Sequence, residues 1–332
     1  MMSIANLRDG VVDEVSAILA ADFEIDVVNT TTVPRSSDAS ITFPNLDTKR
    51  QGAKLINTCV LYIDIRRSTE LNLRHKPKTV AKLYSAFVRA MTRCARHHKG
   101  HVRGIIGDRV MVIFDQQDAF VNAVECAISM NSVSQFVINE HFKHNEVECG
   151  IGIDAGNMLA TKTGLRRKGE ELHAYRNLVW LGRPANVASK LTDLANKPES
   201  AVTYPMVRAA FAPAANSLGA AFQLGLGPSQ NWVWRDINPF NFLDLLTTDH
   251  VSRQLVYPDP NFRAMHTVPF KSVSVPKTAP ILMTEIVWDG FRAAKPTSAV
   301  VTGPMFREVK LSVPGYKGRV YSGDVHFTDF KA

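Results

Sequence analysis

Apolar and polar positions change period several times along the chain, and each change predicts an element. Ile4, Val11, Val15 and Ile18 recur on one side of a helix predicted over 5–21. Residues 29–48, rich in Thr, Ser, Asp and Pro, read as a surface connection. Residues 59–65, Cys-Val-Leu-Tyr-Ile-Asp-Ile, are a short, β-branched apolar run and predict a buried strand. Pro77 then opens a helix to His98, with Val80, Leu83, Tyr84, Phe87, Val88, Met91 and Cys94 recurring at three and four. Gly100 closes it.

Residues 101–106 and 109–114 predict two strands joined by a tight Gly107-Asp108 turn. A helix over 118–142 buries Phe120, Ala123, Val124, Ala127, Ile128 and Met130. Strands over 147–155 and 177–182 follow, then a helix over 184–195 with Pro184 in its first turn. This order predicts an α+β, ferredoxin-like (split βαβ) domain. After Pro198 the character changes. Eight of the 17 prolines fall between Pro258 and Pro314, among short β-prone runs at 281–288 and 298–302. The expected division is a helix and connection over 1–54, the α+β domain over 55–250, and a small β-rich appendage over 251–332. No internal repeat is evident.

Composition narrows the class. At 332 residues the chain suits about two domains of roughly 150 residues each. With 45% apolar and 21% charged residues it can bury a sizeable core. No run of about 18 apolar residues predicts a membrane span, and the opening residues lack a secretory apolar region. Cys59, Cys94, Cys126 and Cys149 form no CxxC pair, which favours a reduced, cytoplasmic setting over disulfides or a cysteine-rich zinc site. The net charge of +8 invites an anion. It is spread evenly, with 26 Lys/Arg against 22 Asp/Glu in 1–200 and 13 against 9 in 201–332. That spread argues against a nucleic-acid-binding arm.

The chemistry concentrates at one sheet edge. In a split βαβ plan, the end of the first strand and the turn between the second and third strands meet there. Asp64 ends the first strand and Asp108 occupies the turn. Apposed carboxylates repel unless a cation lies between them, and carboxylates with water and phosphate oxygens suit Mg²⁺ or Mn²⁺. Read alone, each acid is equally a strand end or a turn residue tolerating left-handed backbone. Arg66, Arg67, Ser68 and Thr69 follow, at the mouth of a helix where backbone N–H groups can meet phosphates. An ordinary N-cap is the plainer reading of Ser68 and Thr69.

The run Tyr62-Ile63-Asp64-Ile65-Arg66-Arg67-Ser68-Thr69, the turn Gly107-Asp108, and the run 182–191 (Gly-Arg-Pro-Ala-Asn-Val-Ala-Ser-Lys-Leu) occur in order. Together they resemble a class III adenylate/guanylate cyclase domain over about residues 55–200. The resemblance implies that Asp64, Asp108 and the Ile65 carbonyl hold two divalent cations, Mn²⁺ or Mg²⁺. It implies that Asn186 orients the ribose and Lys190 steadies the α-phosphate while O3′ displaces pyrophosphate. It also implies a head-to-tail homodimer, in which the acids of one chain face Asn186 and Lys190 of the other. The family more often has arginine at the position of Lys190, and lysine keeps the charge without the planar fork.

Purine cyclases carry base-binding polar residues where this chain has Gly104 and Val179. Tyr62 and Arg103 flank the expected site instead. The run through Asp64 and the small tail are similar to bacterial pyrimidine cyclases of the Pycsar antiphage system. That likeness implies cyclic UMP or cyclic CMP as product and a separate effector protein that responds to it. An arginine donor suits the two carbonyls of uracil, so UTP is expected first and CTP second, with ATP as a further alternative. A catalytically degenerate binding module is the reading from another class, opposed by the retained acids, Asn186 and Lys190.

Other features have plainer readings. Cys94, His97 and His98 lack a further ligand for a metal site, and histidines suit a helix C-terminus. Arg166, Arg167 and Lys168 read as a solvated loop. Trp232, Trp234 and Trp288 are expected in the core.

Overall fold

The computed structural model describes residues 3–143, 147–164, 178–212, 232–249, 252–275 and 277–331, with the side chains of 201–204 and 267–275 left undescribed. In chain order the first elements are α1 (Ile4–Ile18), β1 (Glu24–Thr30), β2 (Arg50–Ile65), α2 (Ser68–Arg74) and α3 (Pro77–His97). They are followed by β3 (Gly100–Ile106), β4 (Arg109–Phe114), α4 (Ala119–Ser132) and α5 (Asn139–His141). Then come β5 (Cys149–Thr161), β6 (Val179–Leu181) and α6 (Arg183–Leu194). The predicted 118–142 helix is interrupted by a π turn over Val133–Ile138.

The sheet order β5-β2-β4-β3 is that of a split βαβ domain, and each of these pairings is antiparallel. Alternation along β2 sorts its side chains between two faces. Cys59, Leu61, Ile63 and Ile65 join the main core with Phe87 and Met91 of α3 and Val124, Ala127 and Ile128 of α4. Ile56, Val60 and Tyr62 lie on the opposite face with Met111, Ile113 and the α6 residues Ala185 and Ala188. Asp64 continues this second alternation. Helix α6 approaches the sheet closely because β5 has Gly152 beneath it. A Cβ there would meet the Ala188 carbonyl and the Thr192 amide.

The chain divides differently from the expected boundary at residue 250. One unit comprises residues 1–197 with 278–332, and the other comprises 198–277. The reason is a return to the first sheet by β12 (Ile281–Thr284), which pairs parallel with β5 from Ile281↔Ile151 to Met283↔Ile153. Thr284 Oγ1 donates to the buried Asp154 Oδ1 at 2.7 Å. The β-prone residues after it wind into α8 (Glu285–Ala294), because Val287, Trp288 and Phe291 share a helical face that enters the main core. Residues 298–302 are likewise not a strand, since Ala299–Thr302 forms a short helix, α9, capped by Ser298. Strands β13 (Arg307–Val309) and β14 (Val320–Gly323) extend the sheet beyond β12. The β-rich appendage expected over 251–332 is thus split between the two units.

The second unit has its own sheet, in which β11 (Phe262–Val275), β7 (Ser200–Phe211) and β8 (Val233–Ile237) lie in that order. Helix α7 (Pro239–Asp244) brings Phe242 against Phe211, Tyr257 and Phe262, and a ribbon pairs β9 (Thr247–Thr248) with β10 (Leu255–Val256). Trp288 is buried as expected, whereas Trp234 is 41% exposed. Among the described residues no helix is long and apolar enough to cross a membrane.

Candidate active site

Strand β2 leads the chain to Asp64 on the α6 face of the sheet, and the Gly107-Asp108 turn lies beside that strand end. Gly107 adopts φ +62°, a left-handed turn conformation that glycine takes without strain. Asp108 is buried, and its Oδ2 accepts the Ile65 backbone N–H at 3.1 Å. Burial first, and then the adjacent Asp64 charge and a hydrogen bond to Asp64, push the Asp108 carboxyl up to about 6. Two carboxyl groups therefore meet at one point, as the strand order predicts.

The apposition tests whether cations fit. Repulsion between these acids is relieved by positive charge, and the donor set is purely oxygen, as Mg²⁺ and Mn²⁺ prefer. Among the described residues no group of three or more His, Cys, Asp or Glu side chains forms a metal cage. A pair of acids suits a cation that draws its remaining ligands from water and a bound phosphate, so Asp64, Asp108 and the Ile65 carbonyl fit such an ion.

The neighbouring Arg109 was not predicted from the sequence. Its Nη2 and Nε donate to Asp64 Oδ2 at 2.7 and 3.2 Å, and its Nη1 donates to Ser189 Oγ at 2.9 Å. Nη2 also pairs with Asp193. The signal available was a cation directly after the turn acid, but its partners Ser189 and Asp193 are 80 and 84 residues away.

The other predicted residues divide into three groups. Tyr62 is half-buried on the same face as Asp64, two residues before it, and burial raises its hydroxyl pKa. Asn186 is exposed on α6. Lys190, one turn further along that helix, donates from Nζ to the Pro314 carbonyl at 2.9 Å.

Of residues 66–69, Arg66 turns inward, whereas Arg67 and Thr69 are exposed and Ser68 is half-buried. Arg66 is 9% exposed, its N–H donates to the Glu148 carbonyl at 2.7 Å, and its guanidinium covers Gly150, where a Cβ would lie 2.7 Å from Cζ. Its Nη1 donates to the Asp193 carbonyl at 3.3 Å, while Nε and Nη2 have no hydrogen-bond partner and Nη2 lies 3.9 Å from Asp64 Oδ2. Burial lowers the Arg66 pKa. Arg67 has left-handed backbone, φ 55°, and pairs with Glu148 at 2.7 Å, so Ser68 and Thr69 begin α2.

Arg103 sits where the β3–β4 register shifts between Val102 and Gly104, a bulge that re-aims its side chain. Its Nη1 donates to the Val102 carbonyl at 3.2 Å and its buried Nε has no partner. Burial and the charge of Arg35 lower its pKa against the opposing effect of Asp115. Elsewhere, His98 Nε2 lies 2.7 Å from Ser129 Oγ, and burial pushes the Cys94 thiol up to about 11. The loop reading of Arg166, Arg167 and Lys168 lies outside the described residues.

Comparison with known proteins gives a consistent picture. The family model for the adenylate and guanylate cyclase catalytic domain matches residues 52–209. A Burkholderia cepacia protein named uridylate cyclase is 30% identical over 178 residues, covering 52% of this chain and 72% of that protein. A Gulbenkiania mobilis protein of the same name is 30% identical over 175 residues, covering 49% of this chain and 66% of that protein. A Staphylococcus aureus protein named cytidylate cyclase is 30% identical over 118 residues, covering 32% of this chain and 28% of that protein.

Proposed function

The chain belongs to the class III nucleotidyl cyclases, and from that premise we propose that it converts UTP to 3′,5′-cyclic UMP and pyrophosphate. The observation that carries the reading is the meeting of the Asp64 and Asp108 carboxyls on the face that also bears Tyr62. The relatives named uridylate cyclase support the choice of base. Gly104 and Val179 offer no side-chain hydrogen bond to a purine edge, and a site lacking such donors does not select a purine strongly.

In this reading the ribose O3′ attacks the α-phosphorus, the bond to the bridging oxygen of the β-phosphate breaks, and pyrophosphate and the hydroxyl proton are released. Asp64, Asp108 and the Ile65 carbonyl would hold the divalent cations, whose charge acidifies the 3′-hydroxyl and offsets the triphosphate. Asn186 of a second copy orients the ribose, and Lys190 of that copy acts as a point charge beside the α-phosphate. Tyr62 places its ring beside the base. The Arg103 guanidinium is the candidate donor for a pyrimidine carbonyl. Because each site takes residues from two chains, the working unit is a head-to-tail homodimer.

The product is a second messenger in antiphage defence of the Pycsar type, read by a separate effector protein. CTP is the second reading, favoured by the likeness to the staphylococcal cytidylate cyclase. The test incubates the dimer with Mn²⁺ and UTP, CTP, ATP or GTP separately, and separates the products by chromatography. Cyclic UMP is the expected product. Cyclic CMP alone would move the assignment to the second reading, a cyclic purine nucleotide alone would overturn the pyrimidine assignment, and no cyclic product from a dimer would overturn the activity.

A further inference from the structure

Arg109 is the cation hydrogen-bonded to the proposed metal acid Asp64, with Arg66 Nη2 at 3.9 Å from the same carboxylate. Two Arg109 nitrogens converge on one oxygen, Asp64 Oδ2, at 2.7 and 3.2 Å. Nη1 is held from α6 by Ser189 Oγ at 2.9 Å, and Nη2, one of the two nitrogens on Asp64, also pairs with the Asp193 carboxylate. The Asp64 side chain is 18% exposed, against 58% for Asp193. The same guanidinium thus has a sheltered acceptor at the site and a solvated one beside it.

A carboxylate oxygen receiving two N–H donors cannot also present its lone pairs fully to a metal ion. A guanidinium and a divalent cation on one carboxylate also repel each other. We propose that Arg109 is an internal cation that competes with the divalent metal for Asp64, giving up Asp64 and keeping Asp193 when the ion enters. This proposal rests on the reading of Asp64 as a metal ligand. Ser189 and Asp193 lie three and seven residues after Asn186, on neighbouring positions of one helical face. Metal entry at a chain's own acids therefore changes what holds the face of α6 that carries Asn186.

The test is Mn²⁺ titration of the full chain without nucleotide, followed by the electron paramagnetic resonance signal of free Mn²⁺. The wild type is expected to bind weakly, and Arg109→Gln to bind about tenfold more tightly or better, the effect of removing an opposing cation at this range. Arg109→Lys keeps the charge and is expected to stay near the wild type. Unchanged or weaker binding in a folded Arg109→Gln would overturn the competition. Should that variant fail to fold, Asp193→Asn removes the carboxylate that Arg109 keeps and is expected to weaken Mn²⁺ binding, so unchanged or tighter binding would overturn the proposal. Asp64→Asn separates the two readings. If it leaves Mn²⁺ binding intact in both the wild-type and Arg109→Gln backgrounds, the metal assignment fails first. If it abolishes binding in both backgrounds, while wild type and Arg109→Gln with Asp64 intact bind Mn²⁺ equally, only the role of Arg109 fails.

Discussion

Asp108 stands carboxyl to carboxyl with Asp64, held there by the Ile65 amide that donates to it at 3.1 Å. The fold accepts this repulsion at one sheet edge, with Arg109 offsetting part of it at Asp64, so the arrangement serves binding at the expense of stability. Asp108→Asn is therefore expected to abolish cyclase turnover while raising the metal-free melting temperature. About 1 kcal/mol of relieved repulsion corresponds to roughly 2–4 °C in a domain of this size. Thermal unfolding in a chelator at pH 7, beside a product assay, checks both directions, and a lowered melting temperature contradicts the account.

Shared sites make a sharper prediction. Asp64→Asn and Asn186→Ala chains are each expected to be inactive alone. Random mixing by denaturation and refolding gives heterodimers in which one of two sites is complete, and about a quarter of wild-type activity should return. Measuring turnover against the mixing ratio tests this, and a mixture as inactive as its parents refutes the two-chain site.

Gly152 sets the spacing between β5 and α6. Gly152→Ala would press a methyl group on the Ala188 carbonyl and the Thr192 amide, both backbone atoms that cannot rotate away. The expected cost is about 1–3 kcal/mol or more, with loss of turnover as Asn186 and Lys190 shift. Chemical denaturation and activity should fall together. Gly150→Ala meets the movable guanidinium of Arg66 instead and should cost less.

His98 supplies a pH dependence. Burial first, and then the charge of His97, hold its pKa below the ordinary 6.5, against the opposing effect of Glu125. The unfolded chain therefore binds the proton more readily. The stability contributed by the neutral ring is complete above about pH 6.5 and is lost as pH falls through the folded pKa. His98→Gln should flatten the fall in melting temperature below pH 6.5, and an unaltered slope would assign it to other groups such as His326, whose pKa burial also lowers.

The split βαβ core was legible because its information is local. Period-two and period-3.6 patterns mark β2 to β5 and their helices, and chain order alone brings Asp64 to the Gly107-Asp108 turn. The last fifty residues were not legible in the same way. Residues 281–288 are apolar enough for a strand throughout, and only the vacant edge of β5 and the core beyond it decide that four residues pair and the rest coil.

What the sequence determined by itself, then, is the family, the α+β core and the identity of two acids that call for cations. The tertiary structure decided which charges answer them. Arg109 reaches Asp64 across the sheet edge and Ser189 and Asp193 on α6, while Arg66 turns inward over Gly150. Both outcomes depend on contacts between positions about 45 to 130 residues apart. Side-chain periodicity says which face a residue occupies, but the partner that a charge finds depends on which elements the fold lays against that face.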